Sequence, residues 1–142
     1  MLIRDCSQGK SLLARLDNGA EIIGQITDIA RTKKIEAATF YAIGALSRAD
    51  LGYYDQKAHE YRVTPVEVPV EIASCSGNIS LLDGQPFVHA HAVLADGQSR
   101  TWAGHLVRGS IFAAEIYLQE LPGPRLCRTP DSVTGLNLWT LE

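Results

Sequence analysis

The sequence predicts a single α+β domain over residues 1–142, on three observations: a length that suits one core, a helical pattern confined to one segment, and repeated strand-turn-strand patterning elsewhere. A chain of 142 residues, 46% of them hydrophobic, buries an ordinary core without disulfide staples. Charged residues at 20% and aromatic residues at 7% argue against a disordered, collagen-like or coiled-coil chain. No repeat, linker or low-complexity segment marks a second domain.

The first element is a strand, Leu12–Leu16, an apolar run that stops at the turn signal Asp17-Asn18-Gly19. A helix follows, with Asn18 and Glu21 spaced as a capping pair and Ile22, Ile26 and Ile29 at helical intervals up to about Lys34. Its isoleucine stripe is expected to lie on a sheet. The period then changes: Ala37–Ile43 and Ala49–Tyr54 read as strands, with Gly44-Ala45-Leu46-Ser47 as a tight connection. Asp55-Gln56-Lys57 turns the chain into His59–Val63. Val66–Ile72 alternates well, but Pro69 donates no ladder hydrogen bond, so this strand is expected to lie at an edge, where it suits a subunit contact, or to contain a bulge. Asn78–Leu82 is a short strand closed by Asp83-Gly84. Phe87–Leu94, Thr101–Val107 and Ile111–Leu118, with turns at Asp96-Gly97 and Arg108-Gly109, read as an antiparallel meander. After the turn-rich Pro122-Gly123-Pro124, the segment Gly135–Trp139 is expected to pack an apolar end back onto the body.

Charge narrows the function classes. A net charge of −3 provides no global positive field for nucleic acid or an anionic membrane. Of the two local basic groups, Arg31, Lys33 and Lys34 oppose the negative end of the helix dipole, and Arg125 with Arg128 lies near the C-terminus. Cys6, Cys75 and Cys127 have neither disulfide-framework nor zinc-ribbon spacing, which fits a reducing compartment. With no signal-peptide core and no apolar stretch of membrane-spanning length, the expected location is cytoplasmic.

The chemistry rests on histidines. His89 and His91 stand at i and i+2 of one strand and therefore point to the same face, while Val88, Ala90, Ala92 and Leu94 form an apolar opposite face. The hairpin register decides whether His105 joins them. A two-residue turn at Asp96-Gly97 pairs Val88 with His105 and sends His105 to the wrong side, whereas a three-residue turn or a bulge sets it opposite His89. The latter register is the expected one. Three imidazoles with a fourth position open form the ligand set of a catalytic zinc site, the alternative being a solvated or hydrogen-bonded histidine pair. Glu115 on the next strand is then the candidate catalytic group, accepting a hydrogen bond from a ligating imidazole, serving as a fourth ligand or shuttling a proton, set against a place at a solvated sheet end. Zinc there would lower the pKa of bound water towards ~7 and so allow hydrolysis or lyase-type proton transfer with Glu115 as acid or base, the other reading being a protein that only binds a small ligand. His59 reads as a surface residue, and Tyr53 and Tyr54 are not assigned a role.

Several ordered segments resemble the plants-and-prokaryotes-conserved (PPC) domain family. They are Ala42-Ile43-Gly44-Ala45-Leu46, Leu51-Gly52-Tyr53-Tyr54-Asp55, Ser76-Gly77-Asn78-Ile79-Ser80, Asp83–His91, Ala103-Gly104-His105-Leu106, Ala114-Glu115-Ile116 and Thr134-Gly135-Leu136. The resemblance implies a mostly antiparallel sheet flanked by helices, a homotrimer, and a metal on the histidines matching His89, His91 and His105; the imidazole set itself makes zinc the expected ion, with a fourth position for water or a small molecule. It also raises a DNA-binding or transcription-associated role as the alternative. Plant members carry a separate AT-hook, whose Arg-Gly-Arg-Pro core does not occur in this sequence. Their partner-recruiting segment aligns with Val68–Ala73, where only Glu71 and Ile72 match. The family's double glycine before the third histidine is Ala103-Gly104 here, a change expected to crowd the backbone near His105.

Overall fold

The computed structural model describes all residues, 1–142. Its elements run β1 (Ser11–Leu16), α1 (Ile22–Lys33), β2 (Ala38–Asp55), β3 (Glu60–Val66), β4 (Val70–Leu82), β5 (Gln85–Ala95), β6 (Thr101–Glu120), β7 (Leu126–Pro130) and β8 (Asn137–Leu141). One helix accompanies the sheet, where a sheet flanked by several was expected. No helix is long and apolar enough to cross a membrane.

The helix forms where its isoleucines predict. Ile22, Ile26 and Ala30 are fully buried, and Ile29 is only partly so, because successive residues four apart stay nearer one stripe. Glu21, and not Asn18, is the N-cap: its carboxylate accepts from the backbone N–H groups of Ile23 and Gly24 at 2.9 and 2.7 Å. Asn18 instead donates to the Phe112 carbonyl at 2.7 Å, holding the β1–α1 turn to β6. Lys34 ends the helix in a left-handed conformation, and Ile35 N–H returns to the Ala30 carbonyl.

Two expected turns are absent because the strands bulge where they were expected to reverse. Gly44 lies within β2, at a register shift between Ala42 and Gly44, with φ +132°. A Cβ there would meet the Ala113 carbonyl oxygen, so β2 bends against β6 at a point only glycine occupies. Arg108-Gly109 likewise falls inside β6, beside register shifts in its pairing with β2. The expected meander is therefore a β5–β6 hairpin whose second strand continues for 20 residues. Pro69 sits between β3 and β4 and divides the expected Val66–Ile72 strand; the edge position goes to β3.

The long strands close on themselves. β2 pairs with β6, β6 with β5, β5 with β4, and β4 with β2, all antiparallel. This ring leaves β1 added to β6, β3 added to β2, and the β7–β8 hairpin joined to β4 through one parallel contact, Leu81 with Cys127. The core lies inside the ring and under α1, built from Phe40, Leu46, Ile79, Leu94, Ile111, Ile116 and Leu118 among others. Alternation along β5 gives Val88, Ala90, Ala92 and Leu94 to this core, so the residues between them face outward.

Candidate metal centre

The outward residues of β5 include His89 and His91. The five-residue loop after Ala95 decides what meets them. Asp96 organises it, its carboxylate accepting from the backbone N–H groups of Gln98 and Arg100 at 2.9 Å each, while Ser99 takes a left-handed conformation. The strands consequently pair Ala95 with Thr101 and His91 with His105. His105 therefore faces His91 and not His89, a two-residue displacement from the expected register. Because the side-chain period is two, the displacement preserves the face.

All three rings meet. Their centroids are 5.2 Å apart for His89–His91 and for His89–His105, and 5.7 Å for His91–His105. One ring nitrogen from each lies within 4.8 Å of the other two. His89 and His105 are partly buried and His91 is exposed, which leaves an approach from solvent. Burial pushes the His89 pKa down to about 4, and the Arg128 guanidinium and the other two imidazoles push in the same direction. Burial, then His91, lowers His105. Both rings thus favour the neutral state, the one with a free lone pair.

The residues fit a cation. Nδ1 of His105 is buried with no hydrogen-bond partner, an arrangement that costs stability unless something else occupies the nitrogen. Three imidazole nitrogens suit zinc and related divalent ions. These three residues would hold such an ion and leave it a fourth position, where it would supply Lewis-acid polarisation of a ligand oxygen.

The surroundings are more specific than the sequence indicates. Tyr61 of β3 lies over His105 with centroids 5.1 Å apart. That tilted ring contact exists because Gly52, paired with His105 across the strands, has no side chain: a Cβ there would stand 3.0 Å from the Tyr61 ring and 3.5 Å from His105. On the other flank Asn78 of β4 pairs with His89, and Arg128 of β7 donates to Asn78 Oδ1 at 2.9 Å, to Ser80 Oγ at 2.8 Å and to the Asn137 carbonyl at 3.0 Å. The Arg128 guanidinium lies 5.1 Å from the Phe87 ring and 5.6 Å from the Trp139 ring. Tyr54 Oη donates to the Thr134 carbonyl at 2.6 Å, tying the β2–β3 hairpin to the β7–β8 turn. The apolar end expected at Gly135–Trp139 thus belongs to a hairpin beside the histidines, with Trp139 part-exposed. A cleft of about 480 Å³ adjoins His89 and His91 and is also bounded by Tyr41, Leu126, Trp139 and Arg4.

Glu115 does not join the histidines. It is exposed on β6, ten positions beyond His105, paired with Ile43 and Arg15. At about 3.3 Å per residue this is some 30 Å of extended chain, and Glu115 lies on the exposed outer face of β6 between β1 and β2, neither beside the histidines nor at a sheet end. His59 is an exposed turn residue outside the cluster. Ala103 is exposed and does not crowd His105; Gly104 is the tight position, where a Cβ would approach the Gly52 carbonyl oxygen to 2.9 Å. Sequence reasoning missed Tyr61, Asn78, Trp139 and the role of Arg128, although Arg128 stood out as a local basic residue and Asn78 lay in the family-like run.

The family model for the Plants and Prokaryotes Conserved (PCC) domain matches residues 3–122. The chain belongs to the PCC domain family. Among solved PCC-like structures, the metal-containing protein from Archaeoglobus fulgidus is 40% identical, with a TM-score of 0.94 over 99% of both chains. The plant- and prokaryote-conserved protein from Pyrococcus horikoshii is 39% identical, with a TM-score of 0.94 over 99% of this chain and 97% of that one. A protein from Ralstonia eutropha named as a candidate DNA-binding protein is 27% identical, with a TM-score of 0.81 over 92% of this chain and 90% of that one. The bifunctional protein GlmU of a Synechococcus strain is 34% identical over 124 residues, 85% of this chain. This PCC chain spans less than a fifth of that relative's length, 18%.

Proposed function

We propose that this PCC domain is a metal-binding protein whose His89, His91 and His105 hold a divalent, zinc-type ion with one position free for a small ligand. The convergence of three ring nitrogens within 4.8 Å carries the reading. The orphaned Nδ1 of His105 and the metal-containing relative from Archaeoglobus fulgidus support it. Metal analysis of purified wild type, His91→Ala and Glu115→Gln is the test. Near-stoichiometric metal is expected in wild type and Glu115→Gln and only traces in His91→Ala; equal traces in all three would remove the proposal.

The assembly proposed is a homotrimer. Leu13, Tyr41, Ile43 and Tyr117 form an exposed apolar band on the outer face of β1, β2 and β6, with Arg15 and Glu115 among them. A second copy of the chain is the proposed cover, which places Glu115 in an interface. A DNA-associated role rests on the name of the Ralstonia eutropha relative and receives no help from a net charge of −3. A salt-sensitive shift of duplex DNA would favour it, and no binding at low salt would eliminate it.

A further inference from the structure

We infer that the histidine centre and the adjoining cleft form one site for a small organic oxyanion, its carboxylate or phosphate seated between the ion and Arg128 and its apolar body lying in the cleft. This rests on the proposal that the histidines hold a divalent ion.

The argument begins with uncompensated charge. The cluster consists of histidines alone, and Glu115 stands elsewhere, so the ligands contribute no negative charge. Arg128 adds a further positive charge close by. Its guanidinium bonds to Asn78, whose register partner is His89, and the Cβ atoms of such a pair lie about 5 Å apart. It also lies over Phe87, two positions before His89 on the same face of β5. Three hydrogen bonds and two aromatic rings fix it in place. A cation fixed beside a cation site weakens that site unless an anion lies between them, and an anion there is attracted by both.

Arg128 retains the means to hold such a group. Of the five N–H donors of a guanidinium, Ser80, Asn78 and Asn137 take three, and two remain for an oxyanion. The cleft defines the rest of the molecule. Its volume of about 480 Å³ is that of a small-ligand site, His89 and His91 stand in its wall, and Leu126 and Trp139 offer apolar and aromatic surface. Acetate therefore lacks the portion that fills it, whereas benzoate and phenyl phosphate possess it.

Cobalt(II) titrations of the full chain, followed by visible absorption with and without acetate, benzoate or phenyl phosphate, test the inference. At saturation benzoate or phenyl phosphate is expected to raise cobalt affinity about tenfold or more, and acetate far less; whichever aromatic anion is stronger identifies the headgroup. Arg128→Met is expected to bind cobalt at least as tightly as wild type without anion and to lose most of the anion coupling. A purely structural Arg128 would leave that coupling intact in any folded variant. Cobalt binding in wild type without anion coupling overturns the inference and leaves the metal reading standing, whereas no cobalt binding removes both. Undiminished coupling in Arg128→Met also overturns it. Should that variant fail to fold, wild type together with Trp139→Ala decides, the latter expected to lose the preference for benzoate over acetate.

Discussion

Acidifying the metal-free protein from pH 7.5 to 5 is expected to destabilise it, with His89 as a principal cause. In the folded chain His89 is held at about 4, against an ordinary 6.5, by burial, Arg128 and the two neighbouring imidazoles. Above pH 6.5 the ring is neutral in both states and contributes no pH dependence. Below 6.5 the unfolded chain accepts a proton that the folded chain refuses, so stability falls until the folded pKa is reached near pH 4. By pH 5 the ceiling is about 2 kcal/mol, from about 1.4 kcal/mol per unit over roughly 1.5 units. Partial exposure of the ring reduces this to about 1 kcal/mol through solvent screening. His105 shifts in the same direction and adds to the fall. The carboxylates of Asp55, Asp96 and Asp131 are held below their usual value of 3.8, so their contributions disappear mainly at lower pH than this window. Urea unfolding in chelator at both pH values, for wild type and His89→Gln, isolates the effect. The variant is expected to lose about half of the wild-type pH dependence, and full retention would refute the reasoning.

Two further outcomes follow from packing. Gly77→Ala places a Cβ 2.4 Å from both the His89 carbonyl oxygen and the fully buried Phe40 ring, so thermal or urea unfolding is expected to show a loss of about 2–3 kcal/mol; a change below about 0.5 kcal/mol would contradict the tight contact. Leu13→Asp puts a charge into the exposed band without touching the core, Leu13 being 82% accessible, and is expected to convert a sedimenting trimer to monomer while the folded spectrum persists. A wild type that sediments as a monomer would remove the trimer.

Local pattern made the interior and the histidine face legible. Ile22 and Ile26 marked the buried helix stripe, and the alternation of Val88, Ala90, Ala92 and Leu94 with His89 and His91 marked both faces of β5. What escaped depends on geometry between distant segments. Gly44 and Gly109 look like turn residues in a linear reading but accommodate close contacts within long strands, with Ala113 and with Leu46 and Ile22 respectively. The loop led by Asp96 is longer than a minimal turn because its side chain replaces several backbone partners, which moved the register by two. Tyr61 and Arg128 reach the histidines only through pairings that no nearby spacing encodes. Glu115 shared a strand with His105, but the length of that strand separates them.

Outward projection of the histidines from a closed ring has an evolutionary consequence. Odd-numbered positions 89 and 91 carry the proposed ligands, while even-numbered positions 88 to 94 belong to the fold. Mutation can therefore retune or erase the proposed ligand set along this strand with the oily interior left whole.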